Sequence, residues 1–361
     1  MKRVKTFVFF VEPSSYTLDL IEHVHRPLDI DFTFFTSNVL IAKGNRGNSV
    51  NTLSNMPLKK RVAMILSLRN SYDLIIFNGY SNVEFVALFL SNLFKRRFFI
   101  AIESDTQPKD DSGLKGFLKK LALSTIFKNS SVLGFAGGSV KHRDYFKKYG
   151  MDEERIFLMP MMVNNETFYF DREKPKKPFV FLYVGRIIPH KNVEFLIKSF
   201  RKAFGEQEDV LLRIVGRGES LDVLKSKYEK EKNILFEGAK FAEDLVRVYH
   251  SSHVFVLPSL YEPWGLVVNE AMSASMPVLA SDRVGAVGDL VKEGKTGFVF
   301  NPENEDQLSD LMKRVYEDRA LFTRLSKNAR ELMQKKWNYD LYMKNLKKAL
   351  AYVEERMESR G

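Results

Sequence analysis

The feature that most constrains this chain is an alternation, met twice, of short β-rich runs with longer stretches of helical spacing. In the first half the strand candidates are Val4–Val11, Asp31–Thr36, Leu74–Asn78, Phe98–Ile102, Val132–Ala136 and Ile156–Leu158. Helical patterns lie between them at Lys59–Arg69, Asn82–Phe94 and Leu114–Lys128. Such alternation predicts an α/β fold with a parallel, doubly wound sheet. A polar, proline-bearing stretch from Asp171 to Pro178 reads as a linker. The alternation then restarts, with strands expected at Phe179–Val184, Val210–Val215, Ile234–Phe236, His253–Leu257, Val278–Ser281 and Gly297–Phe300. Asn192–Phe204 carries Val193, Leu196, Ile197, Phe200 and Phe204 on one helical face. Two α/β domains in tandem are expected, over 1–170 and 171–340. The last stretch carries Tyr339, Tyr342, Met343, Leu346, Leu350 and Val353 on one helical face, and a final helix over 341–361 is expected to pack back on the first domain.

Size agrees with two cores, since 361 residues exceed what one usually organises. The chain has no cysteine, which excludes disulfides and thiolate chemistry. A formal net charge of +11 favours phosphate-bearing partners without choosing among them. The opening MKRVKTFVFFV is too short for a signal-peptide core and reads as a first strand, and no run approaches the ~20 apolar residues of a membrane span.

Three loops carry the chemistry. In Pro258 to Met272 a buried strand runs through a turn into a helix, with Glu262 before it and Glu270 eight residues on. Helical periodicity is expected to bring these carboxylates near one face. The N–H groups around Trp264–Val267 are free donors at the positive end of a helix dipole, suited to a phosphate. Carboxylates beside them suit the hydroxyls of a sugar or ribose. In Val184 to Asn192, Arg186 and Lys191 follow a strand on the sheet edge where such folds bind ligands, and are expected to be exposed and to neutralise a diphosphate. In Ile214 to Glu219, Gly216 and Gly218 allow close backbone approach after a strand, a signal that a tight turn also explains.

Taken in order, Gly185-Arg186 with Lys191, the strand-end Val215-Gly216-Arg217-Gly218, and Pro258-Ser259 through Glu262-Pro263-Trp264-Gly265-Leu266 to Glu270-Ala271-Met272 resemble family 4 of the retaining nucleotide-sugar glycosyltransferases. The resemblance is strongest from Phe179 to Phe300. It implies the GT-B fold, two Rossmann-like domains facing a cleft, with an acceptor-binding first domain and a donor-binding second one. It implies a transferase moving a hexose-type sugar, with retention, from a UDP- or GDP-sugar to a saccharide or lipid-linked acceptor in surface glycan synthesis. By the same resemblance Arg186 and Lys191 hold the diphosphate, Glu262 contacts the transferred sugar, Glu270 meets the ribose, and Gly185, Gly216 and the backbone of Trp264, Gly265 and Leu266 line the donor site. No cofactor and no metal are implied beyond the nucleotide sugar. The location implied is cytoplasmic, peripheral to the inner face of the cell membrane.

Departures from that pattern are Ser275, where a glycine before Met276-Pro277 is usual, and two stretches in the first half. Glu12-Pro13-Ser14-Ser15-Tyr16 stands where a glycine-rich loop is usual, and Glu103-Ser104-Asp105 where a histidine is usual. Asp29-Ile30-Asp31 resembles a metal-binding pair but falls at a strand start and reads as a turn. The six histidines form no metal-binding pattern. Leu114, Phe117, Leu118 and Leu121 lie on one helical face, with Lys115, Lys119, Lys120 and Lys128 elsewhere and Lys95-Arg96-Arg97-Phe98-Phe99 nearby. This fits a basic amphipathic helix on anionic lipid and equally a sheet-covering helix with a solvated basic face. No nucleic-acid-binding motif accompanies the charge. Two other functions remain open: a nucleotide-sugar epimerase or hydrolase of the same fold, and a non-catalytic nucleotide-sugar binding protein.

Overall fold

The computed structural model describes residues 3–36, 52–93, 97–108, 111–171, 174 and 177–359. The chain divides into two compact units, Met1–Met161 with Tyr339–Gly361, and Met162–Asn338.

In the first unit β1 (Thr6–Phe10), α1 (Ser15–Leu20), β2 (Asp31–Phe34), α2 (Leu58–Leu68), β3 (Leu74–Asn78) and α3 (Val83–Asn92) come first. They are followed by β4 (Phe99–Ser104), α4 (Gly113–Phe127), β5 (Val132–Ala136), α5 (Lys141–Lys148) and β6 (Ile156–Leu158). The strands form one parallel sheet in the order β2-β1-β3-β4-β5-β6. The central strands β3, β4 and β5 read as largely apolar runs because both faces of the sheet are covered there. Side chains close the helix starts: Ser14 accepts from the Thr17 amide and Asn82 from the Phe85 amide.

α6 (Asn165–Phe168) opens the second unit. β7 (Phe179–Val184), α7 (Val193–Phe204), β8 (Val210–Val215), α8 (Leu221–Lys227), β9 (Ile234–Gly238), α9 (Ala242–His250), β10 (Val254–Leu257), α10 (Leu266–Ser273), β11 (Val278–Ser281) and β12 (Gly297–Phe300) follow. α11 (Glu305–Glu317) and α12 (Arg319–Lys335) complete it. Its sheet is also parallel, ordered β12-β11-β10-β7-β8-β9. The chain leaves β7 toward β8 on one side and β10 toward β11 on the other, so the order reverses between β7 and β10. Ligands of doubly wound sheets lie beyond the carboxyl ends of the strands at such a point.

The last helix, α13 (Tyr339–Glu358), belongs to the first unit. Its Tyr342 hydroxyl donates to Glu103 at 3.3 Å, and its Tyr352 ring meets Phe157 edge-on at 5.8 Å.

The 114–128 stretch differs from the sheet-covering alternative in which side it shows. α4 turns Gly116, Leu123 and Phe127 inward and leaves Leu114, Phe117, Leu118 and Leu121 exposed along with Lys115 and Lys120, so its solvated side is apolar as well as basic. The nearby aromatics are not surface residues, because Phe98 and Phe99 are buried. Phe94, Lys95 and Arg96 lie outside the described residues. The Asp29–Asp31 stretch is a turn into β2: Asp29 has φ 50° and pairs with Arg3, and Asp31 accepts from the Tyr72 hydroxyl.

Candidate functional site: the strand ends at the sheet reversal

β7 and β10 are hydrogen-bonded neighbours, and the loops that leave them are tied to each other. The Leu260 amide donates to the His190 carbonyl at 2.8 Å. This bond sets the turn at Pro189–Lys191 against the loop that carries Glu262. Lys191 and Glu262, 71 residues apart in sequence, form an ion pair there, with Ser259 Oγ 3.5 Å from the same carboxylate oxygen.

Exposure separates the two cations. Arg186 is exposed, whereas Lys191 is only 9% exposed, which corrects the expectation that both stand open. Desolvation makes the Lys191–Glu262 pair stronger and also more costly to leave half-made. Tyr183 donates its hydroxyl to the Arg186 carbonyl at 2.7 Å, which fixes the backbone from which the guanidinium projects.

Glu262 is not on a helix, which corrects its periodic relation to Glu270. α10 starts four residues later, and Glu262 bridges to Val284 while its carbonyl accepts from the Gly285 amide at 2.9 Å. Gly265 is the helix N-cap, with φ 97°, a conformation L side chains rarely adopt. No side chain caps this end. The first-turn amides, beginning with Leu266, form the positive end of the helix beside the Lys191–Glu262 pair. Trp264 precedes the helix with its ring in the core. The ring stacks on Trp337 at 5.4 Å, and its Nε1 donates to Asn269 Oδ1 at 2.8 Å.

Glu270 lies in the second turn of α10 and accepts from the Tyr249 hydroxyl at 2.6 Å. Burial pushes its carboxyl up to about 7, and the Tyr249 bond opposes part of that shift. A carboxyl that titrates near neutrality is a frequent mark of a functional site. Gly216 acts through packing: a Cβ there would lie 1.8 Å from the Gly185 carbonyl oxygen, so the β7 and β8 loops touch backbone to backbone. The Ile187 amide donates to the Arg217 carbonyl at 2.9 Å across the same contact.

Motif reading missed Tyr249, because a tyrosine on α9 carries no local signal of the carboxyl it meets. In the first unit it found Glu103 but not its partners. Asn78 and Tyr342 both donate to Glu103 at the end of β4, and burial pushes that carboxyl up to about 7. Among the described residues no group of three or more His, Cys, Asp or Glu is placed to hold a metal ion, and no helix is long and apolar enough to cross a membrane.

Comparison with known proteins bears on the second unit first. Residues 164–332 match the family described as "Glycosyl transferases group 1". The chain is 35% identical over 165 residues to the sulfoquinovosyl transferase SQD2 of Arabidopsis thaliana, covering 45% of this chain and 31% of that protein. It is 24% identical over 306 residues to the capsular polysaccharide biosynthesis glycosyltransferase CapM of Staphylococcus aureus, covering 80% and 79%. An uncharacterised glycosyltransferase of Methanocaldococcus jannaschii is matched over 41% of its length at 32% identity. The chain thus spans under half of two of these three curated relatives. Among solved structures, Anabaena HepE in complex with UDP-glucose matches 96% of this chain and 99% of its own with TM-score 0.72 at 18% identity. That likeness shows the fold: two parallel α/β units of the GT-B kind.

Proposed function

From the chain's membership, through residues 164–332, of the group 1 glycosyl transferases, we propose that it moves a hexose-type sugar from a nucleoside-diphosphate sugar to a saccharide or lipid-linked acceptor, with retention of configuration. The observation that carries this reading is the Lys191–Glu262 pair at the sheet reversal, beside the uncapped start of α10 and the exposed Arg186.

Breaking a glycosyl–phosphate bond leaves negative charge on the departing diphosphate. Arg186, Lys191 and the first-turn amides of α10 supply positive charge that is already oriented, so little reorganisation is needed as that charge develops. Lys191 exchanges part of its hold on Glu262 for a phosphate oxygen. Glu262 then accepts from hydroxyls of the transferred sugar, and Glu270, positioned by Tyr249, accepts from the ribose. For retention we favour same-face attack, in which the leaving phosphate takes the acceptor's proton. No metal or further cofactor is invoked, and the donor-site residues used are those that the family 4 resemblance implies. HepE was solved with UDP-glucose, which makes a UDP-linked hexose the first donor to try, with GDP-sugars as the comparison. CapM, the capsular polysaccharide relative, supports a surface glycan as product.

Arg186→Ala tests the reading most cleanly, because its side chain is solvent-facing and the fold does not depend on it. Losing a charge-assisted bond to phosphate costs about 1.5–3 kcal/mol, or about ten- to a hundredfold in kcat/KM. Transfer from UDP-hexose to a saccharide acceptor should fall by that much, with Tm unchanged. Undiminished transfer by the variant would remove Arg186 from the diphosphate site. Donor turnover that needs no acceptor would replace transfer with hydrolysis or epimerisation.

A further inference from the structure

Tyr249 holds Glu270, and Tyr249 is held in turn by a segment that no motif marks. α6 and the residues after it lie across the C-terminal ends of α9 and α10, within the second unit. Asn165 begins the contact. Its amide donates to the Met333 and Trp337 carbonyls at 2.9 Å each, and its Oδ1 accepts from Ser273 Oγ at 3.1 Å. The Phe168 ring meets Tyr249 edge-on at 5.6 Å, and the Phe168 carbonyl accepts from His250 Nε2 at 3.1 Å. Phe170 lies 4.6 Å from the His250 ring, and its carbonyl accepts from Ser275 Oγ at 2.6 Å.

Two side chains in this contact sit where local physics works against them. Ser275 has φ 60°, which a glycine adopts without strain and an L side chain does not. Lys174 is partly buried, and desolvation pushes its ammonium down to about 7. It donates to the carbonyls of Tyr249, at 3.2 Å, and of Ser252, and lies 5.6 Å over the Phe170 ring. Those carbonyls close the end of α9, the negative pole of that helix, which a cation complements. A strained backbone and a desolvated charge therefore meet on one short segment, and such features persist where the surroundings fix a geometry that function uses.

We propose that Lys174 and Ser275 are positioning residues for the donor: they fasten the segment after α6 over α9 and α10, and so fix Tyr249 and, through it, the Glu270 carboxyl. Phe168 holds Tyr249 by its ring and Lys174 holds it by its carbonyl. The Tyr249 hydroxyl then takes Glu270 Oε2 at 2.6 Å and leaves Oε1 to accept from the ribose. Hydrogen bonds weaken steeply with angle, so a Tyr249 that drifts costs recognition of the ribose hydroxyls. The diphosphate contacts of Arg186 and Lys191 come from another loop and do not depend on this segment. The inference rests on the ribose role read for Glu270.

The test is calorimetric titration of the full chain with UDP or GDP, whichever wild type binds more tightly, and with the 2′,3′-dideoxy form of the same nucleotide. Wild type should prefer the ribonucleotide by about tenfold, the size of one hydrogen bond to a charged group. Glu270→Ala should abolish that preference. Lys174→Met and Ser275→Gly should each cut it to about threefold or less, while binding of the dideoxy form stays near wild type. Ser275→Gly relieves the backbone at φ 60°, so it tests the bond to Phe170 in a chain that folds even where Lys174→Met does not. A wild-type preference in either folded variant, or weakening of both nucleotides by one factor, would overturn the proposal and reduce the segment to a support of the fold. A preference absent from wild type, or one that Glu270→Ala keeps, would contradict the ribose role of Glu270 and the proposal with it.

Discussion

At the residue scale, the contrast between Arg186 and Lys191 decides how each variant reads. Arg186→Ala removes a solvent-facing cation and should affect transfer alone. Lys191→Met also deprives the nearly buried Glu262 of its cation, so we expect a stability loss of about 2–4 kcal/mol in urea unfolding. Adding Glu262→Gln should restore part of that stability and none of the activity. No restoration would mean that the pair is not coupled. Glu270 predicts a pH dependence. Its carboxyl sits at about 7 in the fold against 4.5 for the ordinary value, so the folded state keeps a proton that the unfolded chain has released. The stabilisation is therefore full below 4.5 and is lost as pH rises through about 7. Glu103 acts in the same direction. Tm should fall between about pH 5 and pH 8, and Glu270→Gln should flatten that fall by roughly 1–2 kcal/mol. An unchanged slope would place the Glu270 carboxyl in water. The sequence shows Glu262, Glu270, Arg186 and Lys191 through their spacing. It does not show Tyr249 under Glu270 or Asn78 and Tyr342 around Glu103, because those contacts close over long separations.

At the scale of elements, all twelve strands were legible, most to within a residue or two of their ends. Strands buried on both faces are written as apolar runs with polar stops. Periodicity alone does not say which way an apolar stripe turns, and α4 is the case in point. Its broader stripe faces out, while a glycine, a leucine and a phenylalanine make the sheet contact. Loop contacts were also illegible: the spacing leaves Gly216 open between ligand approach and a tight turn, and does not show that it meets the β7 loop backbone to backbone. Gly216→Ala drives a methyl group into the Gly185 carbonyl and should force the two loops apart. We expect about 2–4 kcal/mol of destabilisation with weakened nucleotide binding. A variant that binds nucleotide as wild type does would mean that this packing does not shape the site.

At the scale of the whole molecule, the two units do not follow chain order, since α13 follows the second unit and belongs to the first. Nucleotide should therefore stabilise the chain through the second unit whether or not α13 is intact. The central claim is that this unit holds a nucleoside-diphosphate sugar at the β7–β10 reversal. It is tested most directly by thermal shift with UDP, GDP, ADP and their sugar conjugates, on wild type and on Glu270→Ala. The account predicts a rise in Tm with the uridine compounds that the variant diminishes. No rise with any nucleotide, or an equal rise in the variant, would contradict it.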